Sequence, residues 1–225
     1  MIRCFLVFSL IINSLPFFAQ PVVDKDASYY IPIIRKFLFK DYKGMYKKEE
    51  GALKYKYITP GSSQYSDQLW DWDSWLSNIA LRQILIESGS EKDIKEAVAY
   101  EKGCVLNFLE YGGFDGWIPI MITKNFKSRG EQMPQNPLED NMHKPVLAQH
   151  AAFLSGIYND AEWLREKFYP LQAFVNNYLN HRRHKATGLF YWTTDHAIGV
   201  DNDPATFYRP SGSSGSIYLN SLMYR

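Results

Sequence analysis

Two carboxylates set among aromatic rings are the first residues in this chain whose types and spacing suggest chemistry. The stretch "GLFYWTTDHAIGVDNDPATF", residues 188–207, puts Asp201 and Asp203 on either side of Asn202, shortly after Phe190, Tyr191 and Trp192. A carboxyl group in apolar surroundings keeps its proton to higher pH, because burial penalises the charged form. Such an acid can protonate a departing oxygen. Cleavage of a glycosidic bond needs one, together with a second carboxylate for the water or the anomeric carbon. Trp and Tyr faces stack on the apolar faces of sugar rings, and Asp and Asn side chains bind hydroxyls. Asp201, Asn202, Asp203 and Pro204 are also favoured turn formers, so local chemistry alone leaves a plain turn open.

Other chemistries fit less well. His181 and His184 lie three apart, but Arg182 and Arg183 stand between them and no carboxylate pattern completes a metal site. "DNDP" resembles the start of a calcium loop but lacks the Gly and Glu that such a loop needs further on. No metal or cofactor is expected. The chain contains no nucleophile elbow, phosphate loop or dinucleotide fingerprint. Cys104 falls on an apolar helix face and reads as inert packing.

The elements that must position these residues read as helices. Residues 29–41 form the first. A second runs through "DQLWDWDSWLSNIALRQILIESG", with Ser66 or Asp67 as its cap and Gly89 as its stop. It is apolar nearly all round, as a helix buried on two sides should be. A third ends at Gly112 and Gly113, and an irregular stretch follows from Phe114 to Met142. Two more helices meet at a turn near Asn159, the later one kinked at Pro170. Strand-like alternation is scarce. This is an all-α pattern of paired antiparallel helices, either a solenoid or a closed toroid.

Residues 1–19 read as a cleaved leader: Arg3, an apolar run from Cys4 to Ile12, and a small residue at Ala19. The run is too short and too soon broken to span a bilayer. Export to the periplasm or outside the cell is expected, and it would leave Cys104 without a cysteine partner. The formal net charge of +1 gives no basic patch for displacing counterions from nucleic acid. Six Trp, 16 Tyr and 14 Phe exceed what a core alone would call for. The chain stops inside what looks like the opening of another helix, so it reads as truncated, with residues 20–225 the N-terminal part of one domain.

Several landmarks then occur in order. "QLWDWDSWLSNIAL", "GWIPI", "HKPVLAQHA", "NHRRHKATGLFYW", "GVDNDPATFY" and "IYLNSLMYR" together resemble the motifs of family 63 glycoside hydrolases. That family includes mannosyl-oligosaccharide glucosidase and the mannosylglycerate hydrolases, with the trehalases as neighbours. The resemblance covers roughly residues 60–225.

It implies an (α/α)6 toroid, of which this chain would carry about the first half. It also implies inverting hydrolysis of an α-linked glucoside or mannoside, the substrate being an oligosaccharide or a small glycoside. Asp201 maps onto the general acid. Trp70, Trp72 and Asp73 map onto sugar-contacting positions, with Trp117, Trp192, Asn202 and Arg209 as neighbours. The catalytic base would be a Glu that follows Arg225.

The chain departs from the family at Ala197 and Ile198, at Ala205, at Lys144 (where the family has Gln) and at Tyr218 (where it has Asp). Two alternatives stay open: a trehalase-like hydrolase on the same scaffold, and a sugar-binding helical protein without catalysis.

Overall fold

The computed structural model describes residues 26–61, 63–127, 142–192, 210 and 215–224. These residues are mostly helical, in keeping with the all-α expectation. Helix α1 spans Ala27–Asp41 and starts where the Asp26 carboxylate accepts the Tyr29 N–H. A 3-10 turn, Tyr42–Met45, leads into two short antiparallel strands, β1 (Tyr46–Lys47) and β2 (Tyr57–Ile58). Strand β3 (Gln68–Trp70) pairs antiparallel with β4 (Met121–Thr123), Leu69 opposite Ile122. Between them run α2 (Asp71–Ser88) and α3 (Glu91–Glu110). Helix α4 spans Leu147–Tyr158, α5 Phe168–His181 and α6 Ile217–Met223.

The start of α2 differs from the expectation. Residues 68–70 are extended and hydrogen-bonded to β4, and the helix begins only at Asp71, whose N–H donates to the Ile120 carbonyl at 2.9 Å. Pairing with a strand some 50 residues later cannot be read from local propensity. Pro170 does not kink α5 either. It sits in the first turn, where its missing N–H would have no helical partner. The six residues before that helix, Glu162–Lys167, tighten into 3-10 geometry. The turn at Asn159 stands as expected, in the left-handed conformation (φ 49°).

The core is a single cluster in which α2, α3, α4 and α5 meet β2 and β3, with Leu69, Leu85, Cys104, Phe108, Ile122, Leu154 and Phe174 all buried. Helix α3 is its axis. It opens with a reciprocal cap, Ser90 with Asp93, and at Gly103 it lets the chain before β2 lie directly on its backbone. A Cβ at Gly103 would overlap the Lys56 carbonyl. Asn107 exchanges two hydrogen bonds with the Tyr55 backbone, at 3.0 and 2.8 Å. Burial pushes the Cys104 thiol up to about 12, and its Sγ accepts the Ile58 N–H, so it packs as an inert group.

A buried polar network ties three helices together. Glu101 of α3 binds Arg82 and Asn78 of α2 and the Tyr158 hydroxyl of α4. Asn78 in turn meets His150 of α4 at 2.7 Å.

Helix α2 is less enclosed than its composition implies, because Leu76, Ile79 and Ile86 remain exposed. Among the described residues, no helix is long and apolar enough to cross a membrane.

Candidate functional site

Where β3 passes into α2, Asp71 and Trp72 meet two later segments of the chain. One is residues 142–146. Its backbone is fixed by His143 N–H donating to the Ile118 carbonyl at 2.8 Å and by the Tyr178 hydroxyl donating to the His143 carbonyl at 2.8 Å. His143 lies edge-on to Phe108 and Phe174. Burial lowers its pKa to about 4, which leaves the ring neutral to hydrogen-bond the Lys144 carbonyl at 2.7 Å. Lys144 is thereby held with its ammonium 3.3 Å from Asp71 Oδ2, and its own N–H donates to the same oxygen at 3.0 Å. Both side chains of this pair are buried.

The second segment is the pairing of residues 190–192 with α6. Asn220 uses its side-chain amide as a strand would, accepting the Phe190 N–H and donating to the Phe190 carbonyl, each at 2.9 Å. Ser216 caps α6 by accepting the Leu219 N–H and also accepts the Trp192 indole N–H at 3.1 Å. Tyr218 is therefore laid between two tryptophans. Its ring centroid is 5.8 Å from that of Trp72 and 6.3 Å from that of Trp192, nearly parallel to the latter. The Lys144 ammonium lies 5.6 Å from the Trp72 ring, within cation–π range.

The bank Trp72–Tyr218–Trp192 thus stands over a buried ion pair. Asp73 is half-buried at its edge, its pKa raised first by desolvation and then by the neighbouring Asp71 carboxylate. Burial and the Asp71 charge raise the Tyr218 hydroxyl as well. Asp71 Oδ1 and the Tyr218 hydroxyl are buried without a hydrogen-bond partner among the described residues. Chemically, the arrangement offers flat apolar faces beside a half-buried carboxyl whose pKa is raised.

The expected site residues divide accordingly. Trp72 and Trp192 are brought together through Tyr218, and Asp73 adjoins Trp72 in the first turn of α2. Trp70 stands apart from this bank. Its indole N–H donates to Gln68 Oε1 at 2.7 Å and its ring meets Tyr65 edge-on. Trp117 is buried in the core cluster, in a loop where Asp115 Oδ1 accepts its N–H at 3.0 Å. Asp201, Asn202 and Arg209 lie outside the described residues, as do residues 1–19.

Asp71, Lys144, Tyr218 and Asn220 were not among the expected site residues. Two of them carried a signal in the sequence: Lys144 and Tyr218 stand where the family that the sequence resembles has Gln and Asp. Among the described residues, no group of three or more His, Cys, Asp or Glu is arranged to hold a metal ion. Compared with models of known protein families and with curated protein sequences, the chain matches none.

Proposed function

We propose that this chain is part of an exported glycoside hydrolase of the (α/α)6-toroid class that cleaves an α-linked glucoside or mannoside with inversion. Asp201 is the general acid, and Trp72, Asp73 and Trp192 shape the sugar subsite, with Trp70, Trp117, Asn202 and Arg209 as further neighbours. The observation that supports this best is the aromatic bank Trp72–Tyr218–Trp192 beside Asp73, assembled from segments some 120 and 145 residues apart. A platform of that kind suits the apolar face of a pyranose ring. The expected acid, Asp201, follows Trp192 by nine residues, which ties it covalently to the platform.

The chemistry proposed is proton donation by Asp201 to the leaving oxygen, while a second carboxylate activates water on the opposite face of the ring. No cofactor takes part. Lys144, paired with Asp71, lies with its ammonium 5.6 Å from the Trp72 ring and helps to hold it.

The test is release of free sugar from trehalose, kojibiose, nigerose and mannosylglycerate by the full-length protein and by its Asp201→Asn variant. Loss of release with the fold intact is expected, and unchanged turnover in that variant would overturn the assignment. Saturable sugar binding with no release by the unaltered protein would favour a non-catalytic sugar-binding role.

A further inference from the structure

Away from that bank, the surface of α5 carries a row of amides. Gln172, Asn176 and Asn180 follow Tyr169 at three- and four-residue spacing, which places all four on one face of the helix. Together with Phe114 they line an open cleft of about 210 Å³. Phe114 is 91% exposed and Tyr169 57% exposed, and their rings meet at a corner with centroids 6.2 Å apart.

The wall opposite is fixed. Gly116, with φ +77°, brings its loop so close to α5 that a Cβ would overlap the Ala173 carbonyl, and Asn177 donates to the Asp115 carbonyl at 2.8 Å. That bond uses the Asn177 amide N–H, while its Oδ1 is buried without a hydrogen-bond partner among the described residues. The side chains of Gln172, Asn176 and Asn180 make no hydrogen bond among the described residues. Asn is a poor helix former, because its side chain competes for the backbone, so two unused Asn on one face weaken α5 without helping it pack.

We infer that this cleft is a second binding site, for a single neutral sugar ring, with Phe114 and Tyr169 as its platform and Gln172, Asn176 and Asn180 as its hydroxyl-binding edge. Each amide offers a donor and an acceptor, as each sugar hydroxyl does. The ionisable side chains at the cleft are Asp115 and His181, with no Lys or Arg, so an anionic ligand faces a carboxylate and no permanent cation. The backbone of α5 is spent on its own hydrogen bonds, so an extended peptide has no edge to pair with. The volume is below the roughly 300–1,000 Å³ of drug-sized pockets, enough for one ring. Its lining residues include none of those proposed for the sugar subsite, and the inference does not rest on that subsite.

The experiment titrates the full chain with methyl α-glucoside and methyl α-mannoside, with glucuronate and a neutral tripeptide as controls, by ligand-observed NMR and calorimetry. It is run with and without Trp72→Ala, which silences the aromatic bank. Binding of a neutral glycoside should survive Trp72→Ala. It should weaken at least about tenfold in Asn176→Leu/Asn180→Leu, and by about threefold to tenfold in Phe114→Ala, the range expected for loss of one ring contact. Because Leu is the better helix former, the double variant should melt no lower than the unaltered chain. Sugar binding unaffected by either set of substitutions, binding abolished by Trp72→Ala alone, a preference for glucuronate or the peptide, or a lower melting temperature in the double variant would each overturn the inference.

Discussion

Lys144 is where a single side chain decides most. Its ammonium and its N–H both serve Asp71 Oδ2, and neither partner has water to fall back on. Removing one member of a buried pair strands the other charge, which typically costs about 3–5 kcal/mol, whereas replacing both with apolar groups is often neutral. Lys144→Met should therefore be strongly destabilised, while Asp71→Leu/Lys144→Met should recover most of the loss. Chemical denaturation of the three proteins measures this, and equal stabilities for the single and double variants would show that the pair is not coupled. The same pair underlies the ring of Trp72, so the single variant should also lose sugar affinity, and the double variant should regain stability faster than affinity.

Helix α3 makes the strongest demand on a whole element. In an exposed helix, replacing Gly with Ala stabilises by about 1 kcal/mol. At Gly103 the sign reverses, because the methyl group would run into the Lys56 carbonyl and push the chain before β2 off the helix. Overpacking of this kind costs about 1–3 kcal/mol, and it would also strain the Asn107 bonds to Tyr55. Gly103→Ala should lower the melting midpoint by several degrees, and a rise would mean that the strand segment is not held where the geometry has it. At the other end of the element, Ser90→Ala removes half of the reciprocal cap and should cost about 1 kcal/mol, a smaller loss confined to helix initiation.

Taken as a whole, the molecule should be sensitive to acid in a defined window. Burial lowers His150 to about 3 and His143 to about 4, from 6.5. An unfolded histidine accepts a proton near 6.5 that the folded one refuses, so the unfolded state binds more protons as pH falls. This contribution to stability is complete above about pH 6.5 and declines toward about pH 4, by on the order of 1.4 kcal/mol per pH unit for each histidine. Glu101, raised by burial, acts in the opposite sense, since its folded form keeps a proton that the unfolded one releases. His150→Gln keeps an N–H donor for Asn78 and removes one titration. Its unfolding free energy should fall less steeply between pH 6.5 and 4 than that of the unaltered protein, and identical slopes would exclude His150 as a source.

Local pattern was enough to recognise the helices around Leu81, Phe108, Leu154 and Phe174, the stops at Gly89 and Asn159, and the inertness of Cys104, because each depends on neighbours within a turn or two. Of the expected sugar-site residues, Trp72, Asp73 and Trp192 now stand at or beside one aromatic bank. Trp70 does not, because pairing of β3 with β4 decides how the residues before α2 are held, and that pairing joins positions some 50 residues apart. The partners that complete the bank, Lys144 beneath Trp72 and Tyr218 between the rings, were visible only as departures from a familiar motif. Their meaning comes from burial and contact across 70 to 150 residues of chain. Periodicity reports which side of an element is greasy. Which charge ends up under which ring depends on long-range packing, which no local pattern records.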